Sequence, residues 1–193
     1  MGLKLKELAE ALKSAVSRPF TVRYPATPSP PPESYRGRPE FQDKCMGCGA
    51  CAEVCPSKAI TVSDDADTRT IEVSYGRCIG CGQCASSCPV EGIKLTTQYT
   101  VFAGPEGEPR NSVKRALVRC TECGAVITTF DHLRWLTEKL GNLSFSNLTL
   151  LATIQAISAG VKPEEVQGGP IRPVCPKCRR KLVLSEHGWR AKY

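Results

Sequence analysis

Twelve cysteines in 193 residues are the groups through which this chain could do chemistry, and they fall into two sets. Cys45, Cys48, Cys51 and Cys55 are spaced C-x2-C-x2-C-x3-C and followed by Pro56. Cys78, Cys81, Cys84 and Cys88 repeat that spacing and are followed by Pro89. The offset is 33 residues at every cysteine, and Cys45–Ile60 matches Cys78–Ile93 at Cys, Gly, Cys, Gly, Cys, Ala, Cys, Pro and Ile, an internal duplication. Three thiolates two residues apart sit on one tight loop and can grip three irons of a cubane. The fourth lies a turn further on, where the chain is leaving toward the second site. Gly47, Gly49, Gly80 and Gly82 suit such loops, because without Cβ the backbone approaches the inorganic core and points N–H groups at sulfur. A disulfide scaffold would need an oxidising compartment. Zinc would use each run as two knuckles and leave the middle spacing without a role.

The duplicated spacing is that of the bacterial two-cluster ferredoxins, in which the fourth cysteine of each run ligates the other cluster. One [4Fe–4S] cluster is therefore expected on Cys45, Cys48, Cys51 and Cys88, and the second on Cys78, Cys81, Cys84 and Cys55. The remaining pairs, Cys120-x2-Cys123 and Cys175-x2-Cys178, each resemble a zinc knuckle, and two knuckles make a tetrahedral site of four thiolates. One structural Zn2+ is expected there, with a rubredoxin-type iron or free or disulfide-linked thiols as the alternatives. Four thiolates leave no open position for chemistry.

Elements must carry these ligands. Ala59–Val62 and Thr70–Val73 read as a hairpin around an acidic tip, Asp64 to Asp67. Arg115–Arg119 and Ala125–Phe130 alternate as a hairpin about the first knuckle, and Arg180–Leu184 alternates after the second, a zinc-ribbon pattern with about 51 residues inserted between knuckles. The insert reads as helical, with Asp131 capping His132–Leu140, Asn147 capping Leu148–Ser158, and Gly141 and Gly160 as stops. Leu5, Leu8, Leu12 and Val16 recur at helical spacing in residues 2–17, and seven prolines in residues 18–40 make an extended arm. The expected organisation is α+β: an arm over 1–40, a two-cluster ferredoxin domain over 41–100, a linker over 101–112, and a zinc-ribbon-like domain with a helical insert over 113–193. His132 and His187, the two histidines, read as surface or capping residues.

Composition narrows the classes. No run approaches the ~18 apolar residues of a membrane-spanning helix, and Glu7, Glu10 and Lys13 interrupt any secretory core. A soluble or peripheral protein with cysteines facing a reducing cytosol is expected. The formal charge of +7 suggests nucleic acid, but it counts the thiols as neutral. Each [4Fe–4S] or zinc site with four thiolates carries about −2, which leaves the loaded protein near ~+1. Nucleic acid is therefore not an expected partner. A local excess of 14 Lys/Arg over 6 Asp/Glu remains from Arg110 onward, and acidic protein surfaces suit it better. No nucleophile–base pairing, Walker loop or dinucleotide fingerprint occurs, and no small-molecule substrate is expected. Redox centres without a substrate site describe a relay, not an enzyme in its own right.

Arg23-Tyr24-Pro25, the proline-rich stretch, and Tyr35-Arg36-Gly37-Arg38-Pro39-Glu40 directly before the two cysteine runs resemble the two-cluster iron–sulfur subunit shared by complex I and energy-converting membrane-bound [NiFe]-hydrogenases. The added knuckles resemble the formate hydrogenlyase and hydrogenase-4 version, since the complex I version ordinarily lacks them. The resemblance implies electron transfer through the two clusters toward a [NiFe] catalytic module at the cytoplasmic face of the membrane. It implies as partners the hydrogenase small and large subunits, membrane-arm subunits, and a donor such as ferredoxin or a formate dehydrogenase module. It also implies an N-terminal helix lying along the membrane arm. The alternatives are a complex I-like dehydrogenase subunit and a soluble ferredoxin fused to a protein-binding ribbon.

Overall fold

The computed structural model describes residues 5–17, 21, 26–27, 29–99, 109–161 and 171–184. The chain divides into two compact units, residues 1–33 and residues 34–193. The first contains α1 (Leu5–Val16), with Glu7 in its first turn and Lys13 in its last, each complementing the helix dipole. Its stripe of Leu5, Leu8, Leu12 and Val16 is exposed. Arg23-Tyr24-Pro25 lies outside the described residues. None of the described helices is long and apolar enough to cross a membrane.

In the second unit, β1 (Pro39–Phe41) pairs antiparallel with β4 (Ile93–Leu95), Phe41 opposite Ile93. Between them the duplicated loops lead into α2 (Ala50–Glu53) and α3 (Gln83–Ser86), which pack on each other. Gly49 (φ 82°) and Gly82 (φ 79°) occupy equivalent left-handed positions ahead of these helices, a conformation that costs a residue with Cβ about 1–2 kcal/mol. The duplication extends into backbone that sequence identity does not mark. Lys58 (φ 50°) and Glu91 (φ 51°), also 33 residues apart, are both left-handed, each with its N–H donated to the carbonyl of the run's fourth cysteine.

β2 (Ile60–Asp64) and β3 (Thr68–Ser74) form the expected hairpin around the acidic tip. Asp64 is held there by Arg69, whose Nε and Nη2 donate to its carboxylate oxygens at 2.7 and 2.9 Å. That pairing holds the Asp64 carboxyl below its usual pKa. The far edge of β3 pairs with β5 (Arg110–Arg119) over seven residues, Ile71 opposite Val113, and β5 pairs with β6 (Val126–Thr129). One four-stranded sheet, β2-β3-β5-β6, thus runs from the duplicated half into the C-terminal half. Residues 101–108 of the expected linker lie outside the described residues, and Arg110–Ser112 already belong to β5. Ile71 and Val73, 1% and 0% exposed, anchor the first core with Ile60, Tyr75 and Ile93.

An edge strand left open is a template for pairing with another chain. A fragment ending at Tyr99 uncovers the β3 edge and should self-associate. Light scattering after size exclusion should report more chains per particle for the fragment than for the full chain; a fragment that stays monomeric at high concentration would contradict this.

Beyond β6 the insert is helical, as its sequence indicates: α4 (Phe130–Leu140), a 3-10 segment, and α5 (Leu148–Ser158). The Asn147 side chain caps α5 by accepting from the Thr149 N–H, and Gly141 ends α4. The cap of α4 is Thr129, not Asp131, because β6 runs directly into the helix and the Thr129 hydroxyl accepts from the His132 N–H. His132 is half-buried, with Nδ1 2.9 Å from the Thr128 hydroxyl; burial and then the Arg69 charge hold its pKa down. His187 lies outside the described residues. The second knuckle departs from the ribbon pattern: Arg180–Leu184 is not a strand but part of α6 (Pro176–Leu184). Proline suits the first turn, where its missing N–H is not needed, and the Arg179 N–H donates to the Cys175 carbonyl at 2.9 Å. The fold is therefore mixed helix and sheet, with one hairpin and one helix beside the knuckles.

Candidate metal centres

Two enclosed cavities adjoin the packed helices, the first lined by residues of α2 and the second by Cys84 of α3. The first is lined by Cys45, Cys48, Cys51 and Cys88 together with Phe41, Ile71 and Ile93. The second is lined by Cys55, Cys78, Cys81 and Cys84 together with Ile60, Val73 and Leu95. Each cavity brings together three cysteines of one run and the last cysteine of the other. The β1–β4 pairing causes the exchange at the first cavity: the Gln42 N–H donates to the Gly92 carbonyl at 2.9 Å, which holds the approach to Cys45 against the exit from Cys88.

The sulfurs sit among groups that suit them to cluster ligation. The Gly92 N–H donates to the Cys88 Sγ at 3.0 Å. Burial works against a thiolate at Cys55, yet the Ser57 hydroxyl and the amides of Ile60, Ala59 and Ser57 outweigh it and lower the pKa. At Cys51 burial dominates, reinforced by the sulfurs of Cys45, Cys48 and Cys84, and pushes the thiol up to about 12. Burial also raises Cys45 and Cys84. A positively charged centre offsets the cost of ionising such buried thiols, and iron would provide that charge. Apolar walls, convergent sulfurs and inward N–H groups fit a [4Fe–4S] centre in each cavity.

The C-terminal cysteines also converge. The sulfurs of Cys120, Cys123, Cys175 and Cys178 all lie within 4.8 Å of one another. Cys123 Sγ and Cys175 Sγ are 3.7 Å apart, far longer than a disulfide of ~2.05 Å. Tetrahedral bonds of ~2.3 Å to a central zinc imply sulfurs ~3.8 Å apart. Backbone amides are in place: the Cys175 N–H donates to Cys120 Sγ at 3.3 Å and the Cys178 N–H to Cys175 Sγ at 3.4 Å. Burial disfavours the Cys120 thiolate, but the amides of Cys175, Glu122 and Cys123 overcome it and bring the pKa to about 6. At Cys175 the Cys178 amide is the main influence, and the pKa falls. Cys178 is pushed up to about 12 by the neighbouring sulfurs of Cys123 and Cys175. Four crowded sulfurs, two of them with lowered pKa, fit a divalent thiophilic ion.

Three further residues reach the first ligand loop with no motif to announce them. Arg115, Arg69 and Thr129 hydrogen-bond its backbone carbonyls. Arg115 and Thr129 lie 70 and 83 positions from their partners, so only the β3–β5–β6 pairing reveals them.

Comparison with known proteins gives the family. Residues 44–92 match the 4Fe-4S dicluster domain family. The chain is 38% identical over 133 residues to formate hydrogenlyase subunit 6 of Escherichia coli (strain K12), covering 66% of this chain and 74% of that one. It is 36% identical over 84 residues to NADH-quinone oxidoreductase subunit 9 of Thermus thermophilus, covering 38% of this chain and 46% of the relative, less than half of that relative's length. A solved archaeal respiratory membrane complex, the membrane-bound sulfane sulfur reductase, contains a chain 28% identical with a TM-score of 0.41, covering 54% of this chain and 57% of that one. The chain belongs to the family of 4Fe–4S dicluster subunits that includes formate hydrogenlyase subunit 6 and to which the quinone oxidoreductase subunits of the complex I type are related.

Proposed function

We propose that this chain is the electron-relay subunit of a membrane-bound, energy-converting hydrogenase complex. In this reading Cys45, Cys48, Cys51 and Cys88 hold one [4Fe–4S] centre, and Cys55, Cys78, Cys81 and Cys84 hold the other. The observation that carries it is the pair of enclosed cavities, each with four converging cysteines and apolar walls. Bound there, a [4Fe–4S] centre accepts and returns one electron. The chain's residues do the rest. Ile71, Ile93, Val73 and Leu95 keep water from the sulfurs, the Gly92 N–H braces Cys88, and the contact of α2 with α3 holds the two cavities side by side.

The four C-terminal cysteines are proposed to bind one structural zinc, supported by sulfurs already near tetrahedral spacing. The exposed apolar stripe of α1 suits docking at a partner or a membrane surface, which makes the association peripheral. Partners in this reading are the [NiFe] small and large subunits, membrane-arm subunits, and a donor such as ferredoxin or a formate dehydrogenase module. The chain transfers electrons and turns over no substrate of its own.

The test is purification of the tagged full-length chain from detergent-solubilised membranes under anaerobic conditions. Other redox subunits should accompany it, and the chain should carry about eight irons and about eight acid-labile sulfides. A monomer recovered wholly from soluble extract would overturn the complex-subunit reading. Iron near four per chain would overturn the two-centre assignment.

A further inference from the structure

The internal duplication supplies its own control. Residues 45–48 and 78–81 are the same ligand loop, yet the chain surrounds them differently. Met46 in the first is 5% exposed, whereas its counterpart Ile79 is 66% exposed. The cover over the first loop is polar and cationic. Arg115 Nε donates to the Cys45 carbonyl at 2.5 Å, and its Nη2 to the Asp43 carbonyl at 2.7 Å. The Thr129 hydroxyl donates to the Met46 carbonyl at 2.5 Å, and Arg69 Nη1 to the Gly47 carbonyl at 3.3 Å. At the second loop an exposed Arg36 reaches the Cys81 carbonyl at 3.4 Å. The glycines record the same contrast. A Cβ at Gly47 would lie 2.8 Å from Thr129 Cγ2, while at Gly80 the nearest atom, the Arg36 carbonyl, is 3.5 Å away.

These contacts bear on redox poise. A [4Fe–4S] centre gaining one electron gains one negative charge, so its potential follows nearby charge, hydrogen bonding and exposure to water. An apolar cover would lower the potential, because a buried anion of higher charge is the harder one to hold. Here the cover delivers two guanidinium groups. Asp131, 3.4 Å from Arg115, and the Asp64 pair of Arg69 offset part of their charge, so the effect rests chiefly on the N–H donors that the guanidinium groups aim at the loop. Donors on the carbonyls of residues 43, 45, 46 and 47 keep those oxygens occupied, and the Gly47 N–H faces the Cys45 sulfur.

We propose that Arg115 is a positioning residue by which the C-terminal half raises the reduction potential of the centre bearing Cys45 and Cys48 above that of its duplicate. The proposal rests on both runs carrying [4Fe–4S] centres, and it holds whichever centre Cys88 joins. Electrons entering the pair then settle at the covered centre, and the open loop around Ile79 marks the lower-potential end.

The experiment is a mediated, spectroscopically followed redox titration of the full-length holoprotein and its Arg115→Gln and Arg115→Lys variants. Cys48→Ser and Cys81→Ser identify which signal belongs to which loop. Arg115→Gln should disfavour the reduced form of the Cys48 centre about tenfold, a fall of ~59 mV for one electron, with the Cys81 centre unmoved. Arg115→Lys keeps the charge but loses the two-carbonyl fork, so it should fall part of the way. Thr129→Val should shift the same centre downward by less, and it decides the matter if Arg115→Gln loses iron. Unmoved midpoints, or a shift confined to the Cys81 centre, overturn the proposal. Fewer than two titrating centres in the unsubstituted protein would instead refute the two-cluster reading beneath it.

Discussion

Replacing Cys88 by Ser should alter the iron–sulfur signal that belongs to Cys45, Cys48 and Cys51, and leave that of Cys78 and Cys81 in place. Proximity along the chain argues the opposite, since Cys88 is four residues from Cys84 and 43 from Cys45. The fold reverses that inference. Cys88 lines the cavity of the first run, and the Cys45 thiol feels the sulfurs of Cys48 and Cys88. The Gly92 N–H that braces Cys88 Sγ belongs to the same turn whose carbonyl accepts from Gln42. Loss of one thiolate should release about one iron from one centre, taking the chain from about eight to about seven. Spectra of Cys88→Ser set against Cys48→Ser and Cys81→Ser decide the pairing. A Cys88→Ser signal matching that of Cys81→Ser would sink the crossed arrangement.

The second large effect is expected at the C-terminal cysteines. Cys120→Ser or Cys178→Ser should release one zinc per chain and unfold the helices around it while both iron–sulfur signals stay near normal. Structural zinc contributes on the order of 10–16 kcal/mol in small sites, as much as the whole stability of a typical domain at ~5–15 kcal/mol. A contribution of that size would decide whether the local fold holds. The apolar core beside the site is small, with Cys120, Val174 and Cys175 buried and Ile127 and Leu182 packed on them. Ile127 packs on both this core and that of the inserted helices, and polar contacts add to it. The Thr149 hydroxyl donates to the Val174 carbonyl at 2.9 Å, and Arg179 Nη1 to Asn147 Oδ1 at 3.0 Å. Metal analysis with limited proteolysis checks the outcome. Iron in place of zinc, with a rubredoxin-like spectrum, would refute the metal assignment, and unchanged protease resistance would refute the structural role.

What could be read from the sequence was local. The cysteine runs are short, their spacing is fixed by one loop each, and the duplication makes them visible twice. The β2–β3 hairpin, the Asn147 cap and the Gly141 stop are likewise written within a few residues of where they act. What escaped was decided at a distance or by competition. Asp131 has the right chemistry for a cap, but its carboxylate lies 3.4 Å from Arg115, and Thr129, one residue before the helix, takes the role. Five alternating residues at Arg180–Leu184 fit a strand as well as a helix. Pro176 at the start and the i,i+3 placement of Cys175 and Cys178 are the local signals that favour the first turn of α6. The pairing of β3 with β5 carries no sequence mark at all, and it is this pairing that brings Arg115 and Thr129 to a loop 70 or more residues away.

The pairing of β1 with β4 continues past its strands: the Gly37 N–H donates to the Thr96 carbonyl, the Arg38 N–H to the Gln98 carbonyl, and the Thr96 N–H back to the Arg38 carbonyl. The entrance and exit of the duplicated unit are therefore neighbours, closed like a clasp. A module whose ends touch behaves as a cassette: it can be spliced between unrelated sequences, or lengthened at either end, without pulling on what it encloses. Ancestral growth by accretion would then leave the clasp closed while a new segment, here β5, added itself along the open edge of β3.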